Sequence, residues 1–198
     1  MTFHRLPLDF YARPALEVAP DLLGKLLVHV TPEGTASGYI TETEAYVGPE
    51  DKAAHSYGGR KTDRTRAMFG PPGRAYVYLI YGLHHCFNVV VAAEDQPEAV
   101  LVRSLKPKDG LELMFARRRL KQQRPGNNIC RLTDGPGKLC QALGITKQQY
   151  GCDLTGEQLF ITSGISVPAE NISAQPRINI DYAKEWAHLP WRFVWQPD

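Results

Sequence analysis

Arg74-Ala75-Tyr76-Val77-Tyr78-Leu79-Ile80-Tyr81-Gly82-Leu83-His84-His85-Cys86-Phe87-Asn88-Val89-Val90-Val91-Ala92 reads as two β-rich runs, Arg74–Tyr81 and His85–Ala92, joined across Gly82. Aromatic and β-branched residues suit a pleated, half-buried surface, and a glycine between two such runs marks a hairpin. Further strands are expected at Lys25–Thr31, Gly38–Tyr46 and Ala99–Leu105, with shorter ones around Gln158–Thr162, Arg177–Ile180 and Arg192–Trp195. These runs follow one another through short turns instead of alternating with crossover helices. The expected fold is therefore α+β: a single domain, 1–198, with a mostly antiparallel curved β-sheet and short helices packed around it.

Helical signals are few. Residues 15–23 form a short helix stopped by Gly24, and Glu50–His55 carries enough Ala, Glu and Lys for one or two turns. Asp109 is placed to cap a helix ending at Arg117-Arg118-Arg119, whose cations suit the negative end of the helix dipole. Asp134–Leu143 is another, with Pro136 in its first turn and Gly144 as its stop. Residues 57–73 read as an ordered Gly/Arg/Pro-rich loop with a helical turn near Met68, and Lys121–Cys130 as a mobile link.

The bulk composition of the 198 residues, 43% hydrophobic and 22% charged, is that of a soluble globular protein. No run approaches the ~18 apolar residues of a membrane helix, and the start lacks a signal-peptide core, so a cytoplasmic monomer without membrane contact is expected, nucleoid-associated if bacterial. Cys86, Cys130, Cys140 and Cys152 form no C-x-x-C pair and match no zinc module; reduced, mostly buried thiols are expected, with no metal and no cofactor.

The net charge of +2 conceals an uneven distribution. Residues 1–59 hold four Lys/Arg against eight Asp/Glu, residues 60–138 hold fifteen against seven, and residues 139–198 hold four against six. A basic middle between acidic ends fits a localised anion-binding surface, although a merely solvated face has the same composition.

Side chains two apart on a strand share a face, so Glu42, Glu44 and Tyr46 project together, and Ile40 with them. Glu44 on such a face is placed to take a proton from water; a structural acid paired with an arginine is the bland alternative. Tyr76 and Tyr78 face one way from their strand and Val77, Leu79 and Tyr81 the other. Tyr81, at the hairpin tip, is hard to bury within its own domain and easy to push into another molecule. A wedge backed by basic surface is how proteins unstack a nucleotide, and an extruded base then needs aromatic walls, which Tyr46 and Tyr78 can supply. His55, taken alone, reads more readily as a surface histidine on a short helix. Arg60, Lys61, Arg64, Arg66 and Arg74 sit among glycines able to present guanidinium groups and amides to phosphates, and Gly135-Pro136-Gly137-Lys138 opens a helix as an anion site would.

Five blocks resemble the alkyladenine (3-methyladenine) DNA glycosylase family of alkylpurine base-excision repair: E-T-E-A-Y-V-G-P-E-D-K-A-A-H-S at 42–56, M-F-G-P-P-G-R-A-Y-V-Y-L-I-Y-G at 68–82, C-F-N at 86–88, V-L-V-R-S-L-K-P at 100–107 and G-P-G-K-L-C-Q-A-L at 135–143. R-I-N-I-D-Y-A-K-E-W at 177–186 also fits. The resemblance implies a monofunctional glycosylase acting on duplex DNA that contains damaged purines. It casts Glu44 as the general base and Arg103 as the arginine that helps hold the attacking water. Tyr46 would stack on one side of the flipped base, with Tyr78 and His55 on the other, and Asn88 would form the pocket floor. Tyr81 would be the inserted wedge, with Arg60 and Lys138 on the DNA side. Asn179 stands where the family usually has glycine.

Two other classes compete with this reading. A non-catalytic damage-binding module would use Tyr81 and the basic middle without needing Glu44. A carbohydrate-active hydrolase would use Glu42 and Glu44 as an inverting pair about 7 Å apart.

Overall fold

The computed structural model describes residues 4–121 and 129–197. The Tyr-rich run is a hairpin: β3 (Ala75–Ile80) and β4 (His84–Val91) pair antiparallel from Ala75↔Val89 to Ile80↔His84. At its tip Tyr81 and Gly82 take φ of 52° and 68°, and the Leu83 amide closes on the Ile80 carbonyl at 3.1 Å. Two successive positive φ values reverse the chain within a three-residue connection, Tyr81-Gly82-Leu83.

The remaining strands, β1 (Leu26–Thr31), β2 (Gly34–Tyr46), β5 (Glu98–Asp109), β6 (Leu159–Thr162), β7 (Ile172–Gln175) and β8 (Arg192–Trp195), complete an eight-stranded sheet of order β3-β4-β5-β2-β1-β6. Every pairing is antiparallel, and β8 joins both β2 and β7. The expected α+β, mostly antiparallel architecture is the observed one. β2 and β5 form its spine, and both are bulged: the register passes from Ile40↔Leu105 to Glu42↔Ser104 and then Thr43↔Val102, leaving Thr41 and Arg103 unpaired.

Short helices α1 (Leu8–Tyr11), α2 (Ala15–Asp21), α3 (Leu111–Arg117) and α4 (Pro136–Leu143) cover one face of the sheet. Their Tyr11, Val18, Met114 and Leu139 share a buried core with Ile40, Ala45, Phe87, Val89, Val100 and Val102. The other face carries a smaller cluster of Met68, Tyr76, Val90 and Ala99, against which Tyr78 and Tyr150 pack.

Several local expectations are corrected. Glu50–His55 forms turns rather than a helix, because the Asp51 carboxylate accepts the Ala53 amide at 2.9 Å and so competes with helical bonding. Asp109 ends β5 and does not cap α3; its carboxylate accepts the Ser37 hydroxyl at 2.7 Å. Gly110 starts the helix instead, at φ +77°, where any Cβ would lie 2.3 Å from the Thr35 carbonyl oxygen. Arg177–Ile180 is irregular, with Asn179 at φ 59°, and the strand lies just before it as β7. Most of the expected mobile link, 122–128, lies outside the described residues.

Candidate active site

The double bulge decides what faces what. Before it, Ile40 points into the helix-covered core; after it, the core positions on β2 are Thr43 and Ala45. Ile40 and Glu44 therefore lie on opposite faces, contrary to strict alternation, while Glu42, Glu44 and Tyr46 do share one. On β5, Arg103 shares that face with Ala99 and Leu101 by ordinary alternation, and the register shift lets Leu105, two residues on, return to the core. There the sheet, the 177–180 segment and the N-terminus of α4 enclose a cavity of about 370 Å³.

Glu44 lines this cavity with no solvent exposure. Its Oε1 accepts the Ile178 amide at 2.8 Å and lies 3.5 Å from an Arg103 Nη1; its Oε2 accepts the Tyr46 hydroxyl at 2.9 Å. Burial pushes the Glu44 carboxyl above the usual carboxylate range, and Arg103, the Ile178 amide and the Tyr46 hydroxyl oppose that rise. Such a carboxylate is a stronger base than one in water. Oε2 takes Tyr46 alone among the described residues, so it retains acceptor capacity toward the cavity.

Glu42 is engaged differently. Arg103 Nε donates to its Oε1 at 3.1 Å and Arg192 Nη1 to the same oxygen at 2.9 Å. The structural-acid alternative holds for this residue. Two guanidinium groups balance two carboxylates, and Glu42, bound by both arginines, is poorly placed to serve as the second carboxylate of an inverting glycosidase.

The aromatic residues predicted as walls meet in the same cavity. Tyr46, His55, Tyr76 and Tyr78 all line it. His55 Nδ1 hydrogen-bonds the Tyr76 hydroxyl at 2.8 Å, and its ring stands edge-on to Tyr78 with centroids 4.6 Å apart. Burial, reinforced by nearby Arg64, lowers the His55 pKa to about 4, so the ring is neutral at pH 7. Asn88, buried opposite Tyr76 on β4, donates its amide to the Tyr76 carbonyl at 3.0 Å and lines the cavity. Tyr81 stands at the rim, 81% exposed.

The structure does not bring Arg60 or Lys138 into the cavity. Arg60 is exposed; its carbonyl accepts the Thr65 hydroxyl at 2.9 Å and its amide donates to the Ser56 carbonyl at 3.3 Å. Lys138 pairs with Asp134 at 2.7 Å, one turn away on the outside of α4, while Pro136 and Gly137 from the same turn do line the wall. Residues that sequence reasoning missed as lining are Met68, Tyr182 and Arg64, whose guanidinium carbon lies 5.1 Å from the Tyr78 ring centroid. Arg64 was visible only as one of several basic residues in a loop. Arg177 was visible only as part of a resembling block; it is buried behind Tyr46, 4.7 Å from that ring, and paired with Asp51.

A buried carboxylate thus lies at the end of an aromatic-walled cavity, with an exposed tyrosine on a hairpin beside it. The family model for methylpurine-DNA glycosylase matches residues 9–198. Proteins carrying the name "Putative 3-methyladenine DNA glycosylase" are 50% identical over 198 residues in Bacillus cytotoxicus (97% of this chain, 96% of the relative) and 52% identical over 197 residues in Bacillus cereus and Bacillus mycoides (96% and 95%). The chain belongs to the methylpurine-DNA glycosylase family, whose members are DNA-repair hydrolases of the N-glycosidic bond. No helix among the described residues is long and apolar enough to cross a membrane.

Proposed function

We propose that this protein flips alkylated or deaminated purines out of duplex DNA and hydrolyses their N-glycosidic bond as a single domain acting as a monomer. The substrate range is 3-methyladenine and 7-methylguanine, extending to hypoxanthine and ethenoadenine. The observation that carries the reading is Glu44, wholly buried yet held by two hydrogen-bond donors and an arginine ion pair at the end of an aromatic cavity. In the reaction Glu44 takes a proton from water as the water oxygen bonds to the sugar C1′. The C1′–N bond breaks with its electron pair going to the base, leaving an abasic sugar and the free purine. A base methylated at N3 or N7 leaves from a cationic ring as a neutral molecule and needs little further help.

Arg103 holds Glu44 ionised and lies beside the path of the water. Tyr46 on one side, with Tyr78 and His55 on the other, sandwiches the base. Asn88 on the floor crowds the amino group of normal guanine, and Tyr81 fills the gap left in the stack. Arg60 and Lys138 contact the phosphates, Lys138 by sharing itself between Asp134 and DNA. No lysine lines the cavity among the described residues, which supports hydrolysis without a Schiff base.

Glu44→Gln keeps the side-chain shape and removes the base. Release of 3-methyladenine from alkylated duplex DNA should fall at least ~100-fold with DNA binding retained. Normal release by this variant would refute Glu44 as the general base.

A further inference from the structure

Glu44 has an ion pair with Arg103 and two hydrogen-bond donors, and both donors, the Ile178 amide and the Tyr46 hydroxyl, depend on one buried side chain. Arg177 is wholly buried, as is Asp51, its partner. Its two terminal nitrogens straddle the Asp51 carboxylate, with Nη2 2.9 Å from Oδ1, and Nη1 also donates to the Ala45 carbonyl at 2.9 Å. Asp51 is in turn fixed by the Ala53 amide at 2.9 Å. The guanidinium is packed between two rings, 4.7 Å from the centroid of Tyr46 and 5.0 Å from that of Trp191.

This places Arg177 at a mechanical junction. Its side chain ties the irregular 177–180 segment to β2, and the very next amide, that of Ile178, reaches Glu44 at 2.8 Å. Its flat face backs the ring whose hydroxyl holds the other Glu44 oxygen. Without the clasp the 177–180 segment, which has no strand partner, would be free to move and Tyr46 would lose its backing.

We propose that the Asp51–Arg177 pair is a positioning element for the general base, holding both neutral donors on the Glu44 carboxylate. This rests on Glu44 being that base. Arginine is needed rather than any cation, because the fork matches the Asp51 carboxylate and the planar group stacks between Tyr46 and Trp191. Donors to a carboxylate favour its charged form, so loosening them raises its proton affinity and moves the acid side of the rate profile to higher pH.

The test is single-turnover release of 3-methyladenine from alkylated duplex DNA between pH 5 and 9, comparing the parent protein with Arg177→Lys. Lysine keeps the charge beside Asp51 but has no fork and no flat face. The expected result is an acid limb moved up by about one pH unit, hence about tenfold slower release on its acid side, with the alkaline plateau within about threefold of the parent. A uniform loss at every pH with the limb unmoved would mean that Arg177 only supports the fold, and would overturn the proposal. Should Arg177→Lys fail to fold, Asp51→Glu, which keeps the charge but lengthens the arm and displaces the fork, takes its place with the same two outcomes. A parent profile with no acid limb, or one whose limb persists in the residual activity of Glu44→Gln, would refute Glu44 as the base and the clasp with it. A limb present in the parent and unmoved in the variants refutes the clasp alone.

Discussion

Tyr81 offers a separation of stability from function whose size follows from its backbone. The residue sits at φ 52° with its side chain 81% exposed, so the ring contributes little to the fold while the backbone carries left-handed strain of about 1–2 kcal/mol. Tyr81→Gly relieves that strain but gains unfolded-chain freedom of about 0.4–1 kcal/mol. The two effects nearly cancel, and the variant should melt within about 4 °C of the parent. Tyr81→Ala keeps both the strain and the more restricted unfolded chain, and should also melt close to the parent. Neither retains a ring to fill a vacated stack. Stacking on an aromatic side chain is worth about 1–3 kcal/mol, so capture of a flipped base from duplex DNA should weaken by roughly 5- to 150-fold in both. Single-stranded DNA has no stack to hold open and should be released almost normally. Single-turnover release from matched duplex and single-stranded substrates, read beside thermal melts, tests this directly. Equal losses on both substrates would remove the wedge role, and a large drop in melting temperature for Tyr81→Gly would show that the ring packs on its own fold.

Arg103→Gln removes a charge 3.5 Å from Glu44 that opposes the rise burial imposes on its carboxyl, so the carboxyl holds its proton to higher pH. Release should then fall most on the acid side of the pH profile and recover toward the alkaline side. Because burial already lifts the Glu44 carboxyl above its unfolded value, its folded state binds the extra proton, so its stabilising contribution is full below the unfolded value and is lost as pH rises through the folded one. The melting temperature of Arg103→Gln should accordingly fall more steeply than the parent's between pH 5 and 8; a parallel fall would count against the assignment. Arg64→Gln takes a cation from the Tyr78 ring, so release of cationic 7-methylguanine relative to neutral hypoxanthine should rise by about 2- to 30-fold, the worth of one cation–π contact. An unchanged ratio in a mixed-substrate assay would show that Arg64 has no electronic role there.

The hairpin, the spine strands and the antiparallel pairing were legible because each rests on local signals: alternation, β-rich runs and a glycine at the tip. Glu44, Tyr46, His55, Tyr78, Asn88 and Arg103 were legible as a set, and they surround one cavity. What sequence could not supply was long-range. Nothing about Thr41 or Arg103 announces an unpaired residue, yet those two bulges decide that Glu44 faces the cavity and Ile40 the core. Asp51 looked like part of a helix because its neighbours favour one; the carboxylate instead captures Ala53 and Arg177, the latter 126 positions away. Arg60 and Arg64 are equivalent by composition, and only folding sends one to the surface and the other onto Tyr78.

The placement of charge bears on how such a cavity would choose its base. Bare aromatic walls would attract a cationic ring by their π faces. Here each of the two tyrosine walls already carries a guanidinium, Arg177 on Tyr46 and Arg64 on Tyr78, and a ring engaged with one cation has less to offer a second. His55 adds no charge, being neutral at pH 7. The negative charge of Glu44 is balanced by Arg103, and that of Glu42 is shared between Arg103 and Arg192. On the proposed reading, recognition therefore cannot rest on attraction of positive bases alone. A neutral lesion pays little penalty in these walls, and rejection of normal purines falls to shape at Asn88 and to the donors that fix Glu44. Selectivity and catalysis then share one requirement: rigid walls, which the Arg177 clasp supplies on the Tyr46 side and the His55–Tyr76 bond on the other.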